Sequence, residues 1–308
     1  MSNERGNMSI ARLKGLIRER SKQADPSLVE QRKAMDANAT LFPVPGGVTI
    51  AAADLGGLGA EWALPEGAAD APVLLYFHGG GYIHGSPISH RHLSARLALA
   101  SRGRVLSIDY ALAPEHPFPA AVHDGVKAYR WLLDHGHTPE SIAIGGDSAG
   151  GGLTIATLLA ARDAGLAMPA AAVLLSPWTD LTCDAGSYRT QGHLDPMITQ
   201  DGIKAIAALY LEGAEPRDPL ASPNFADLAN LPPMLIQVGS DEVLLDDARN
   251  LERAARAAHV DAELEIWDGM IHVWQMFYQM LPEGGEAIDR LGQYLANRWK
   301  TMRRAGAI

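Results

Sequence analysis

Apolar side chains recur at helical spacing through residues 1–40. Ile10, Leu13, Leu16 and Ile17 make one stripe, and Leu28, Val29 and Met35 begin a second beyond Asp25-Pro26. A stripe at this spacing predicts an amphipathic helix. Two such helices ahead of any strand need a surface on which to bury their apolar sides. They are therefore expected to lie as a lid over the core that follows, rather than to stand off as a free arm.

The pattern then changes period. Residues 48–55 and 60–64 read as two strands joined by Gly56-Gly57-Leu58-Gly59, a hairpin turn. The turn is not a dinucleotide-binding fingerprint, because the third glycine is missing at its required offset. Val73-Leu74-Leu75-Tyr76-Phe77 is apolar throughout, as in a strand covered on both faces. From there, strands expected at 105–110, 141–144, 171–175, 234–238 and 262–267 alternate with helices at 88–101, 119–134, 149–164, 246–258 and 284–302. Such alternation predicts an α/β fold with a mostly parallel central sheet and helices on both faces. One stretch breaks the rhythm. Residues 178–231 are too many for a plain connection and carry a helical segment at 201–211 between Pro- and Asp-rich flanks. An insertion after a strand's C-terminal end overhangs the edge where α/β sheets bind ligands, so it is read as the second half of the lid.

Composition narrows the class without naming it. With 47% hydrophobic and 20% charged residues over 308 positions, the chain is an ordinary globular protein. A net charge of −10 offers no basic patch for nucleic acid. One cysteine, Cys183, excludes an internal disulfide and suits a reducing compartment. The opening Met1-Ser2-Asn3-Glu4-Arg5-Gly6 lacks the character of a signal peptide, and no apolar run approaches the roughly 20 residues of a membrane span. The expectation is a cytoplasmic chain with no membrane partner. Neither a His-Glu-x-x-His pair nor another metal-ligand spacing occurs, so no metal and no cofactor are expected.

The chemistry gathers at strand ends. The apolar run before residue 147 closes in Gly146-Asp147-Ser148-Ala149-Gly150, followed at once by an Ala/Leu-rich helix. That is the strand, sharp turn and helix of a nucleophile elbow, whose glycines leave room where no Cβ fits. By chance alone a Gly-x-Ser-x-Gly would occur ~0.15 times in such a chain, so Ser148 needs partners. His78-Gly79-Gly80-Gly81-Tyr82 follows the 73–77 strand, and its bare backbone N–H groups could crowd the oxygen of a tetrahedral intermediate; chance supplies His-Gly-Gly-Gly only ~0.01 times. The N–H of Ala149, at a helix N-terminus, is a third donor. The base should follow the last strand, where Asp268-Gly269-Met270-Ile271-His272 places His272. His90, His92, His135, His137 and His259 sit on or beside helices and read as surface or core histidines. The acid should end the 234–239 strand, where Asp241 and Glu242 both qualify; Asp246 and Asp247 more simply charge the next helix's first turn. Spacing alone does not choose between 241 and 242.

Taken in order, these segments resemble the hormone-sensitive-lipase family of bacterial α/β-hydrolase carboxylesterases. The match comprises His78-Gly79-Gly80-Gly81-Tyr82, then Asp109-Tyr110 through Ala113-Pro114-Glu115 to Phe118-Pro119-Ala120, then Gly146-Asp147-Ser148-Ala149-Gly150-Gly151, and finally Asp241-Glu242-Val243-Leu244 with His272. It runs from about residue 40 to the end. The resemblance implies an α/β-hydrolase fold with a helical cap: 1–40 as N-terminal cap helices, 41–177 and 232–308 as the catalytic domain, 178–231 as an inserted cap segment. It implies Ser148 as nucleophile and His272 as base. The N–H groups of Gly80, Gly81 and Ala149 form the oxyanion hole, with His78, Gly79 and Asp147 supporting the two motifs. Aligning Leu244 and Asp246 with the family's usual Asp-Pro-Leu-x-Asp puts Glu242 at the acid position, thirty residues before His272, with Asp241 as runner-up. The expected substrate is a small short- to medium-chain acyl ester. Candidate pocket walls are Tyr82, Trp178, Leu181, Met197, Ile198, Tyr210 and Trp274. Family members often pair through the last strand and its neighbouring helix, which makes a homodimer an expectation. The same triad could serve an amidase, peptidase or lactonase, and a non-catalytic binding protein on this scaffold is a weaker alternative.

Overall fold

In the computed structural model of the chain, residues 8–20 and 27–305 are described; Asp25-Pro26 and the opening residues 1–6 lie outside them. Two helices come first, α1 (Ile10–Arg20) and α2 (Leu28–Ala39), the latter opened by Ser27, which forms a capping box with Glu30. Then follow β1 (Val48–Asp54), β2 (Gly59–Pro65), β3 (Val73–Phe77), α3 (Pro87–Ser101), β4 (Arg104–Ile108), α4 (Ala120–Asp134), β5 (Ile142–Asp147), α5 (Ala149–Asp163) and β6 (Ala171–Leu175). The long connection carries α6 (Gly186–Thr190) and α7 (Gln200–Leu211), and the chain finishes with β7 (Met234–Gly239), α8 (Leu245–Ala257), β8 (Ala262–Trp267) and α9 (Pro282–Ala305).

The strands form one sheet in the order β1-β2-β4-β3-β5-β6-β7-β8. β1 and β2 are the expected hairpin, in register Asp54↔Gly59, and β2 runs antiparallel to β4; every pairing from β4 to β8 is parallel. Alternation of side chains splits the core into two layers. Leu75, Phe77, Ile144, Leu174 and Ile236 point to a cluster shared with α4, α5 and α8. Leu74, Tyr76, Val173 and Leu235 point the other way, to Leu93 and Leu97 of α3 and Ile288, Leu291 and Leu295 of α9. The sheet is thus buried on both faces, which is why β3 and β6 are apolar at every position. The fold is α/β-hydrolase.

Several local readings change. β5 was expected to end at 144, yet it continues through Gly145 and Gly146 to Asp147. These glycines are strand residues where the sheet is crowded: a Cβ on Gly145 would sit 2.5 Å from the Val173 side chain. The short helix α6 had no apolar period to announce it. The α1 stripe also divides, with Leu13 buried against Met270, Ile271 and Trp274 while Leu16 is exposed. On α2, Val29 is likewise exposed.

Candidate active site

β5 delivers Ser148 at the C-terminal edge of the sheet, and α5 starts at the next residue. Ser148 has φ 54° and ψ −122°, a strained conformation for a residue with a side chain. It survives because its neighbours fix the turn. The Ser148 N–H donates to Leu175 O at 2.9 Å, and its carbonyl accepts from the N–H groups of Gly151 and Trp178, each at 2.9 Å. The turn also demands glycine beside it, since a Cβ on Gly150 would overlap the Phe77 carbonyl.

The loop after β8 brings His272 to this serine. Its Nε2 lies 2.9 Å from Ser148 Oγ, and its Nδ1 lies 2.9 Å from Glu242 Oε2. A carboxylate can only accept, so Nδ1 carries the proton and Nε2 presents a lone pair to the serine hydroxyl. Glu242 is fully buried after β7, its Oε1 accepting from Ser176 Oγ at 2.8 Å and from the Gly239 N–H at 2.5 Å. Ser176 in turn accepts from the Val273 N–H at 3.1 Å, tying the loop of His272 to Glu242. Burial pulls the His272 imidazole down, but its bond to Glu242 and the Glu242, Asp195 and Asp147 carboxylates outweigh that and hold it above the ordinary 6.5. Asp241 faces elsewhere. It pairs with Lys14 of α1 and accepts from Ser240 Oγ.

The glycine loop is held from beneath. Asp147 Oδ1 accepts from Tyr76 Oη at 2.7 Å and from the Gly79 N–H at 3.1 Å, while its Oδ2 stands 3.3 Å from His90 Nε2. Burial would push the Asp147 carboxyl up, yet His90, Tyr76 and His78 together leave it below its ordinary value, so it stays an acceptor. His78 stacks on Tyr110 at 4.2 Å, and burial together with His90 lowers it to about 3. That neutral ring donates from Nδ1 to the Gly79 carbonyl at 2.8 Å. Gly80 adopts φ 122°, and a Cβ there would run into the His84 carbonyl, so the position needs glycine on both counts. Among the described residues, the N–H groups of Gly80, Gly81 and Ala149 carry no hydrogen bond, and both glycines line the cavity in front of Ser148.

That cavity has a volume of about 490 Å³. Its floor is Ser148, His272 and the glycine loop. Met35, Ala39 and Phe42 wall it from α2 and the turn after it, Met197, Ile198, Ile203 and Ile206 from α7 and the segment before it, and Met276 and Phe277 from the far side. Of the seven walls expected, Trp178, Met197 and Ile198 do line it. Tyr82 and Tyr210 instead stack on each other at 3.8 Å in the core, Leu181 is buried with them, and Trp274 packs beside Trp267. Large aromatics satisfy each other more fully than they would a hollow. His90, Ser176 and Asp195 had been missed: each is a lone polar residue with no local motif. Among the described residues no cluster suited to a metal ion occurs, and no helix is long and apolar enough to cross a membrane.

The chain is similar to known proteins over most of its length. A family model described as alpha/beta hydrolase fold matches residues 74–276. An acetyl-hydrolase of Streptomyces hygroscopicus is 46% identical over 276 residues, covering 90% of this chain and 91% of the relative. An esterase of Acinetobacter venetianus is 35% identical over 264 residues, covering 85% and 87%. The crystal structure of an esterase from the bacterial hormone-sensitive lipase family superposes with a TM-score of 0.92 at 48% identity, covering 94% of this chain and 98% of the other.

Proposed function

Because the chain belongs to the bacterial hormone-sensitive-lipase family of α/β-hydrolase carboxylesterases, we propose that it hydrolyses short- to medium-chain acyl esters through Ser148, His272 and Glu242. The observation that carries this reading is the unbroken relay from Ser148 Oγ to His272 to Glu242, with both bonds at 2.9 Å. In the first step Ser148 Oγ attacks the ester carbonyl carbon as its proton passes to His272 Nε2. The carbonyl oxygen becomes an oxyanion and takes the N–H groups of Gly80, Gly81 and Ala149, which Asp147, His78 and Gly79 hold in place. Glu242 keeps the imidazole in the right tautomer and stabilises the imidazolium. Collapse breaks the bond to the alcohol, which leaves with the proton from His272. Water then attacks the acyl-enzyme, giving its proton to His272, and the acid departs as Ser148 recovers its hydrogen.

The mainly apolar walls and the cavity volume of about 490 Å³ suit an acyl chain of modest length, and the Streptomyces relative is an acetyl-hydrolase. In this reading α1 and α2 with residues 178–231 form the cap over the α/β body, and the protein works in the cytoplasm. The free edge of β8 is where a second copy would pair. Ser148→Ala tests the mechanism. Its turnover of p-nitrophenyl butyrate should fall at least about 10⁴-fold while its melting curve stays close to the parent's; turnover within tenfold of the parent would remove the nucleophile assignment.

A further inference from the structure

Asp195 belongs to the inserted segment, not to the sheet, yet it is buried against the acid loop. Its Oδ1 accepts from the N–H groups of Met197 at 2.8 Å and Ile198 at 3.0 Å, both cavity-lining residues. Its Oδ2 accepts from the Val243 N–H at 3.0 Å, and Val243 directly follows Glu242 in the chain. One carboxylate therefore fastens the cavity wall at Met197 and Ile198 and the backbone carrying Glu242 into a single frame. Three backbone N–H groups donate to this carboxylate, in a buried place where a charge is weakly screened.

Resting on the triad reading above, we infer that Asp195 is a positioning residue for the ester hydrolysis, locking the pocket wall at Met197 and Ile198 to the Glu242 loop and adding a second negative charge behind the Glu242–His272 pair. The charged and titratable groups around His272 are Glu242 beside β7, Asp195, and Asp147 at the end of β5. From α3, His90 and His92 line the cavity that His272 also lines. On α1, Lys14 is engaged by Asp241, and Arg18 donates to the carbonyls of His193 and Leu194. A negative charge at 195 favours the imidazolium, so its removal makes His272 easier to deprotonate. The acid limb of kcat/KM, where the base must be neutral, then moves to lower pH.

Asp195→Asn with its oxygen kept toward Met197 and Ile198 turns an amide NH2, which cannot accept, toward the Val243 N–H. We expect kcat to fall roughly tenfold, KM for a butyryl ester to rise several-fold, and the acid limb to move down by about half a pH unit. Asp195→Glu retains the charge in a displaced position: kcat should fall while the acid limb stays at the parental pH. A merely structural role would lower kcat in both variants and move the limb in neither. The proposal is overturned by an unmoved limb in Asp195→Asn, by equal movement in Asp195→Glu, or by parental kcat in either folded variant. If Asp195→Asn does not fold, Asp195→Ser, also uncharged, takes its place with the same readout: the acid limb should move down, and an unmoved limb overturns the proposal. Failure of the triad reading would show separately, as retained turnover in Ser148→Ala.

Discussion

At the scale of single residues, adjacent carboxylates take opposite employment. Asp241 turns outward to Lys14, partly exposed, while Glu242 turns inward to His272 with no exposure at all. The separation has a simple origin. Successive side chains after a strand diverge, and the acid that points inward must reach across the sheet edge to an imidazole. Glutamate's additional methylene supplies that reach, and Ser176 and the Gly239 N–H hold its second oxygen. Removing Glu242 leaves His272 without its orienting acceptor, so Glu242→Ala should lower kcat by about 10³–10⁴-fold. Asp241→Ala loses a partly exposed ion pair worth about 0–1 kcal/mol and should stay within about fivefold. Side-by-side kinetics on one ester decide it, and a greater loss in Asp241→Ala would reverse the acid assignment. Ser148 and His272 could be read from their motif and chain order. Ser176 could not, because it meets Glu242 only through a contact 66 positions apart in sequence.

At the scale of elements, the amphipathic stripe of α2 states that a helix exists but not what it grips. The gripping is polar. Arg32 donates from Nε to the Ile83 carbonyl and from Nη2 to the Ala113 carbonyl, both at 2.7 Å, and it forms a two-pronged pair with Glu115. Gln31 meets His84 and Asp36 meets Ser86 within the same few residues. This helix is thereby fastened to the segment that leaves the glycine loop, while Met35 and Ala39 on its other side line the cavity. Arg32→Ala should cost about 1–3 kcal/mol, mostly from its two carbonyl bonds, because the Glu115 end is exposed. The check is thermal or urea unfolding together with KM: a stability unchanged from the parent would mean that apolar packing alone seats α2. The same contrast explains the aromatic residues expected in the pocket. Sequence marks Tyr82 and Tyr210 as large and apolar, but only assembly reveals that they stack on each other rather than facing substrate.

At the scale of the whole molecule, one eight-stranded sheet organises two core layers and leaves Ser148, Glu242 and His272 at the C-terminal edge of the parallel strands. Cys183 lies inside this body, within the inserted segment's base, and burial pushes its thiol up to about 12. It should therefore act as a reporter of integrity. Iodoacetamide at neutral pH is expected to leave the native protein unlabelled and fully active, and to label Cys183 once urea unfolds the chain. Rapid labelling of active protein would mean that the inserted segment opens without global unfolding.

What the sequence alone determined about this protein was everything encoded over short range: the strand–helix alternation, the hairpin, the two glycine motifs, and the order of serine, acid and histidine. These follow from periodicity and from backbone conformations that few residues tolerate, and neither requires knowledge of distant neighbours. Only the tertiary structure decided which walls line the cavity and that Asp195 joins the inserted segment to the loop of Glu242, and it brought Glu242, which spacing alone did not separate from Asp241, to His272. Those outcomes depend on where side chains far apart in sequence are brought within hydrogen-bonding distance, and on which of them burial leaves no alternative partner.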